Sequence, residues 1–139
     1  MVEVYVDTLT KDANGNAVVL LKEKQGARTL PITIGVNEAQ AILCELKGIK
    51  PQRPMTHDLM RDIVRHLDAR LSRVVVQELR DNIFYGLLVL GRNGKEEQVD
   101  ARPSDALALA LRAGAPIYVA EEVMQHSCEL PSGLKDQPD

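Results

Sequence analysis

The chain has no tryptophan, one phenylalanine, three tyrosines and two cysteines in 139 residues. So few rings leave the core to aliphatic side chains, and they argue against a nucleic-acid surface built on several stacked aromatic platforms. Cys44 and Cys128 lack the spacing of metal ligands and are expected to be reduced and structural. Positive charge is not in excess either. Against 17 Lys and Arg stand 20 Asp and Glu, a net charge of -3, which disfavours a generic cationic wrap around a phosphate backbone. The N-terminal MVEVYVDTLT has no basic stretch followed by an apolar run, and no segment has the length of a membrane span. A soluble, cytoplasmic protein without a membrane partner is the expectation. Also missing are a glycine fingerprint between the first strand and the first helix, which argues against a Rossmann fold, and any repeat of solenoid length.

What is present reads as one domain. Val2, Val4, Val6 and Thr8 alternate with Glu3, Tyr5, Asp7 and Leu9 as a strand, and KDANGN turns the chain into a second, AVVLLKEK. RTLPITIG follows as a third, with Pro31 pointing to an edge or irregular position. Asn37 is expected to cap a helix whose apolar stripe is Ala39, Ile42, Leu43 and Leu46, and which Gly48 ends. Thr56 is expected to cap the next, where Leu59, Ile63 and Leu67 recur every four residues and, with Met60 and Val64, define the face expected to be buried.

Two strands then meet around Asp81 and Asn82, and Asn93-Gly94 marks the hairpin into EEQVDA. The helix in DALALALRAGAP has almost no polar break before Gly114 and Pro116 stop it, so it is expected to be enclosed. Its entrance has two registers: Ser104 as the cap, or Pro103 at the first helical position with Asp105 third. PIYVA reads as a last strand and EEVMQHS as a short helix. The expected fold class is α+β, a compact domain over residues 1–125 with antiparallel-rich mixed sheets packed against helices, and a C-terminal tail over 126–139.

Two polar clusters carry candidate chemistry. In RPMTHDL, residues 53–59, His57 can exchange a proton near neutral pH, Asp58 can orient it or hold a cation, and Arg53 can meet a phosphate; a proline-ended loop followed by a capped helix explains the same residues. In DARPSD, residues 100–105, Asp100 and Asp105 can hold Mg²⁺ or Mn²⁺ while Arg102 steadies a phosphate. The bland alternative pairs Arg102 with an acid and uses Ser104 and Asp105 to satisfy the helix entrance. One helix end needs one cap, however, and this segment offers polarity in excess of that need. A distant side chain, a second subunit or a ligand would absorb it.

At these clusters the sequence resembles the bifunctional nuclease domain family. The resemblance rests on LPITIGVNEAQAI at 30–42, RPMTHDLM at 53–60, IFYGLLVL at 83–90 and DARPSDALALALRAGAPIYV at 100–119, in that order. It implies a compact mixed α/β domain that associates as a homodimer and hydrolyses phosphodiester bonds of DNA and RNA, with a divalent metal such as Mg²⁺ or Mn²⁺. Under it, Asp58, Asp100 and Asp105 would supply metal or water ligands and His57 would move a proton. Arg53 and Arg102, with Thr56 and Ser104 beside them, would contact the substrate. Two other functions suit the same residues: a non-catalytic binding or regulatory module whose charged blocks form a dimer interface, and a hydrolase of nucleotides or other small phosphate esters.

Overall fold

Alternating apolar residues and short polar turns build two three-stranded meanders from the two halves of the chain. The computed structural model describes residues 1–129. The first meander comprises β1 (Val2–Lys11), β2 (Ala17–Glu23) and β3 (Arg28–Ile34), all antiparallel. The second comprises β4 (Arg70–Arg80), β5 (Ile83–Arg92) and β6 (Lys95–Ala101), also antiparallel. Left-handed backbone at Asp81 and Asn82 (φ 52° and 63°), and at Asn93 and Gly94 (φ 52° and 75°), makes both turns of the second meander tight, while β4 against β5 shifts register between Leu71 and Arg73 and between Val76 and Glu78.

A short strand joins the halves. β7 (Ile117–Val119) lies antiparallel to Val2–Val4 of β1 and parallel to Val74–Val76 of β4, so the meanders fuse into one eight-stranded mixed sheet in the order β6-β5-β4-β7-β1-β2-β3-β8. The short edge strand β8 (Cys128–Glu129) pairs with Arg28 and Thr29, and among the described residues Pro31 has no strand on that edge, where its missing N–H costs nothing. The structured chain thus continues past the boundary expected at 125. The rest of the expected tail, from residue 130, lies outside the described residues.

Helices α1 (Val36–Leu46), α2 (Thr56–His66) and α3 (Pro103–Ala113) pack with the sheet, and a single turn, α4 (Glu121–Met124), follows β7. As its unbroken alanine-leucine run predicts, α3 is enclosed: Ala106, Leu107, Ala108, Leu109 and Ala110 are all buried. It contacts α1 and α2 on one side and β4 and β5 on the other. Burying a leucine such as Leu107 stabilises the fold by about 1.5–3 kcal/mol. The core around α3 is aliphatic, with Val4, Val19, Leu21, Leu30, Val74, Val76 and Val119 among its members, and Phe84 only partly buried against it.

Gly86 shows why the start of α3 lies so close to β5. A Cβ there would sit 2.8 Å from the Ala101 carbonyl oxygen and 3.2 Å from the Pro103 Cα, both backbone atoms that cannot swing away. At the other end Gly114, in the left-handed region at φ 67°, caps the helix and turns the chain toward β7.

Several expectations about the helices fail. The N-caps of α1 and α2 are Gly35 and Met55, not Asn37 or Thr56, while α3 takes the second of its two expected registers, with Arg102 as N-cap and Pro103 at the first helical position; none of the three makes a side-chain capping bond. In their place each helix carries an acid at its third position, Glu38, Asp58 and Asp105, against the positive end of the helix dipole. The largest departure is in α2. Leu59, Ile63 and Leu67, expected to be buried, are 53%, 50% and 54% exposed, while His57 and Asp58 are the residues it buries. Leu43 and Leu46 of α1 are likewise more exposed than their stripe implied.

Candidate active site

The first turns of α1 and α2 and the start of α3 border one cleft of about 400 Å³, lined by Asn37, Glu38, Gln40 and Ala41 from α1, Met55, Thr56 and His57 from α2, and Asp105 from α3. Proline at the first position of α3 selects the register in which Asp105 is third. That register brings the two polar blocks together: His57 Nε2 lies 2.9 Å from Asp105 Oδ1, across 48 residues of sequence. A carboxylate only accepts, so the bond assigns the proton to Nε2. Nδ1 is, among the described residues, the one buried side-chain nitrogen or oxygen without a hydrogen-bond partner. Leaving such a group unsatisfied costs about 1–3 kcal/mol. The Asp105 side chain is 36% exposed, against 6% for His57. One carboxylate oxygen is therefore fixed by a buried imidazole at the border of an accessible cleft.

The neighbouring residue faces a different partner. Asp58 Oδ2 accepts the backbone N–H of Met55 at 2.9 Å, and Asp58 Oδ1 accepts from Arg112 Nε at 2.8 Å. Arg112, whose side chain is only 2% exposed, also donates to the carbonyls of Ala108 and Ala41, both at 3.0 Å. One guanidinium thus ties α1, α2 and α3 together directly behind His57. Burial pushes the Asp58 carboxyl up, but the Met55 N–H and Arg112, with help from Arg61, outweigh it and hold the group below its ordinary value.

The remaining expected site residues separate. Thr56 is exposed at the first position of α2 and lines the cleft. Arg102 caps α3 with its side chain 75% exposed, 3.9 Å from Glu38 Oε1. Ser104 is buried and lines a second cleft together with Arg102. Arg53 is exposed on the loop before α2, and Asp100 is exposed on β6 opposite Leu87, outside the residues that line the His57 cleft. Among the described residues no three His, Cys, Asp or Glu side chains converge as a metal-holding group.

Glu38 and Arg112 belong to the site without having been singled out for it. Arg112 did leave a signal: it is the one cation within an alanine-leucine helix expected to be enclosed, and a buried cation requires an acid nearby.

The fold and the cleft define a mixed α/β domain whose helix entrances converge on a buried histidine bonded to a partly exposed aspartate. The chain belongs to the bifunctional nuclease domain family, whose model matches residues 19–130. It is 50% identical over 107 residues to an uncharacterized protein of Mycobacterium tuberculosis, a match covering 77% of this chain and 63% of that protein. It is 27% identical over 118 residues to Bifunctional nuclease 1 of Oryza sativa subsp. japonica, covering 83% of this chain and 36% of the rice protein. To Bifunctional nuclease 2 of Arabidopsis thaliana it is 25% identical over 107 residues, covering 75% of this chain and 32% of the plant protein. The matched region is less than two thirds of each of these relatives. No helix among the described residues is long and apolar enough to cross a membrane.

Proposed function

We propose that the chain hydrolyses phosphodiester bonds of nucleic acid in the His57–Asp105 cleft. The observation that carries this reading is the 2.9 Å bond between His57 and Asp105, which joins the two polar family blocks at an accessible cleft. Asp105 Oδ1 is held by the imidazole, and Oδ2 has no hydrogen bond among the described residues. That free oxygen orients the attacking water and takes its proton, while the fixed Nε2–H keeps the carboxylate in place. Arg102, with its exposed guanidinium, meets the phosphate and offsets the charge that grows on its oxygens. The water oxygen bonds to phosphorus, the bond to the leaving sugar oxygen breaks, and the proton taken by Asp105 is returned to that oxygen through solvent.

The trio of Asp58, Asp100 and Asp105 does not fit a shared divalent cation. Asp58 has both oxygens engaged, one of them by a cation, and Asp100 does not line the cleft. Mg²⁺ binds through one or two carboxylates together with waters and substrate phosphate, and Asp105 with Glu38 suits that requirement. Such a cation would supply charge neutralisation and activation of the attacking water.

The test is a screen of the purified chain on single- and double-stranded DNA and RNA with Mg²⁺, Mn²⁺ or chelator, requiring activity to coelute with the protein. Loss of turnover in Asp105→Asn by about 10²- to 10⁴-fold is expected. Equal, chelator-insensitive rates in wild type and variant would place the activity in a contaminant or another site.

A second reading, a homodimeric binding module, is favoured by the exposed Leu59, Ile63 and Leu67 stripe. It expects a dimer in sedimentation that Ile63→Glu disperses, and no turnover on any substrate.

A further inference from the structure

Arg102 lines one cleft and contacts a residue that lines another. The latter is the His57–Asp105 cleft, which its guanidinium approaches through Glu38 at 3.9 Å. The former is a cleft of about 220 Å³ lined by Arg102 itself and by Thr33, Asn82, Ile83, Phe84 and Ser104, among others. Consecutive residues at the entrance of α3, Ser104 and Asp105, line one cleft each. Local sequence produces this neighbourhood. Gly86 lets the Ala101–Pro103 backbone lie against β5, and the left-handed pair Asp81 and Asn82 turns the chain so that Ile83 and Phe84 open β5 beside it.

Resting on the reading above, we infer that the second cleft holds the nucleotide next to the scissile phosphate, so that the substrate is a single nucleic-acid strand and not a small phosphate ester. The chemistry alternates as such a strand does. Ile83, 57% exposed, and the half-buried Phe84 offer apolar surface to a base. Exposed Asn82 offers an amide donor and acceptor to a base edge. Arg102, 75% exposed and, among the described residues, paired at 3.9 Å with Glu38, offers a cation to the phosphate between the two positions. The sparse aromatics and the net negative charge suit recognition of one or two nucleotides at a local site over a long electrostatic footprint.

The test compares Ile83→Ser with Val99→Ser, an exposed β6 position that lines neither cleft. Both changes are neutral in charge, so neither alters long-range repulsion. The readouts are kcat/KM on a single-stranded oligonucleotide and on bis-para-nitrophenyl phosphate, which is too small to fill both clefts, together with oligonucleotide binding by fluorescence anisotropy. Loss of one base contact is expected to lower the oligonucleotide-to-small-ester ratio about tenfold in Ile83→Ser through KM, and to leave it at the wild-type value in Val99→Ser.

An unchanged ratio in Ile83→Ser overturns the inference while leaving phosphodiester hydrolysis standing, as does a wild type that prefers the small ester. If wild type cleaves nothing, the hydrolytic reading fails and the subsite is judged by binding alone. Weaker anisotropy binding in Ile83→Ser then supports it, and equal binding or none by wild type overturns it.

Discussion

Helices α2 and α3 are both eleven residues long, and they differ in whether an apolar run is buried, although α3 also buries Ser104 and Arg112. α3 buries five consecutive apolar residues, 106–110, whereas α2 buries His57 and Asp58 and leaves Leu59, Ile63 and Leu67 half in solvent. The difference lies in what each helix meets. α3 has the sheet on one side and two helices on the other, so nearly every direction is covered. α2 is held at its first turn by three polar contacts, Met55 N–H to Asp58, Asp58 to Arg112 and His57 to Asp105. An apolar stripe states which face prefers burial; a buried cation with one acid in reach decides which face is buried.

Removing that cation is the strongest way to break the contrast. Arg112→Met strands the Asp58 carboxylate and is expected to cost about 3–5 kcal/mol in urea unfolding. Leu107→Ala tests the other helix through the hole it leaves and should cost about 2–5 kcal/mol. A loss in Arg112→Met no greater than that of a surface change would show that α2 is held by something other than its polar turn.

A pH series on wild type and these two variants separates the two helices. The Asp58 carboxyl is held below its ordinary value of 3.8, so its stabilising contribution is fully present above that pH and is lost as pH falls through the lowered folded value. The urea midpoint of wild type should therefore drop on acidification below about pH 4, and that drop should be smaller in Arg112→Met, whose Asp58 keeps the Met55 N–H but has lost the guanidinium. Leu107→Ala should keep the wild-type acid dependence at a lower midpoint.

The smallest effect is expected at the exposed stripe, where Ile63→Ala should change the stability of the isolated chain by no more than about 0.5 kcal/mol. A cost that rises with protein concentration would instead show that a second copy covers α2.

Much of this architecture was legible in the sequence because its determinants are local. The turns at Asp81-Asn82 and Asn93-Gly94 follow from residues that tolerate left-handed backbone, and the enclosure of α3 follows from a run with no polar face. The fusion of two meanders through Ile117–Val119 was not legible, since strand pairing across half the chain leaves no local mark. Nor was the orientation of α2, which depends on Arg112, 54 residues from Asp58. At the site, His57 and Asp105 carried a visible excess of polarity, while Asp58 beside His57 looked equally chemical. Only the partner across space distinguishes a carboxylate locked by an arginine from one with a free oxygen at a cleft.

The most direct measurement of the central claim is a kinetic double-mutant cycle on His57→Gln, Asp105→Asn and the double variant, using one oligonucleotide substrate. If the two residues act as one unit, the double variant will lose no more in kcat than the more damaging single change. Losses that multiply would contradict the account, because they would mean that His57 and Asp105 act independently despite the bond between them.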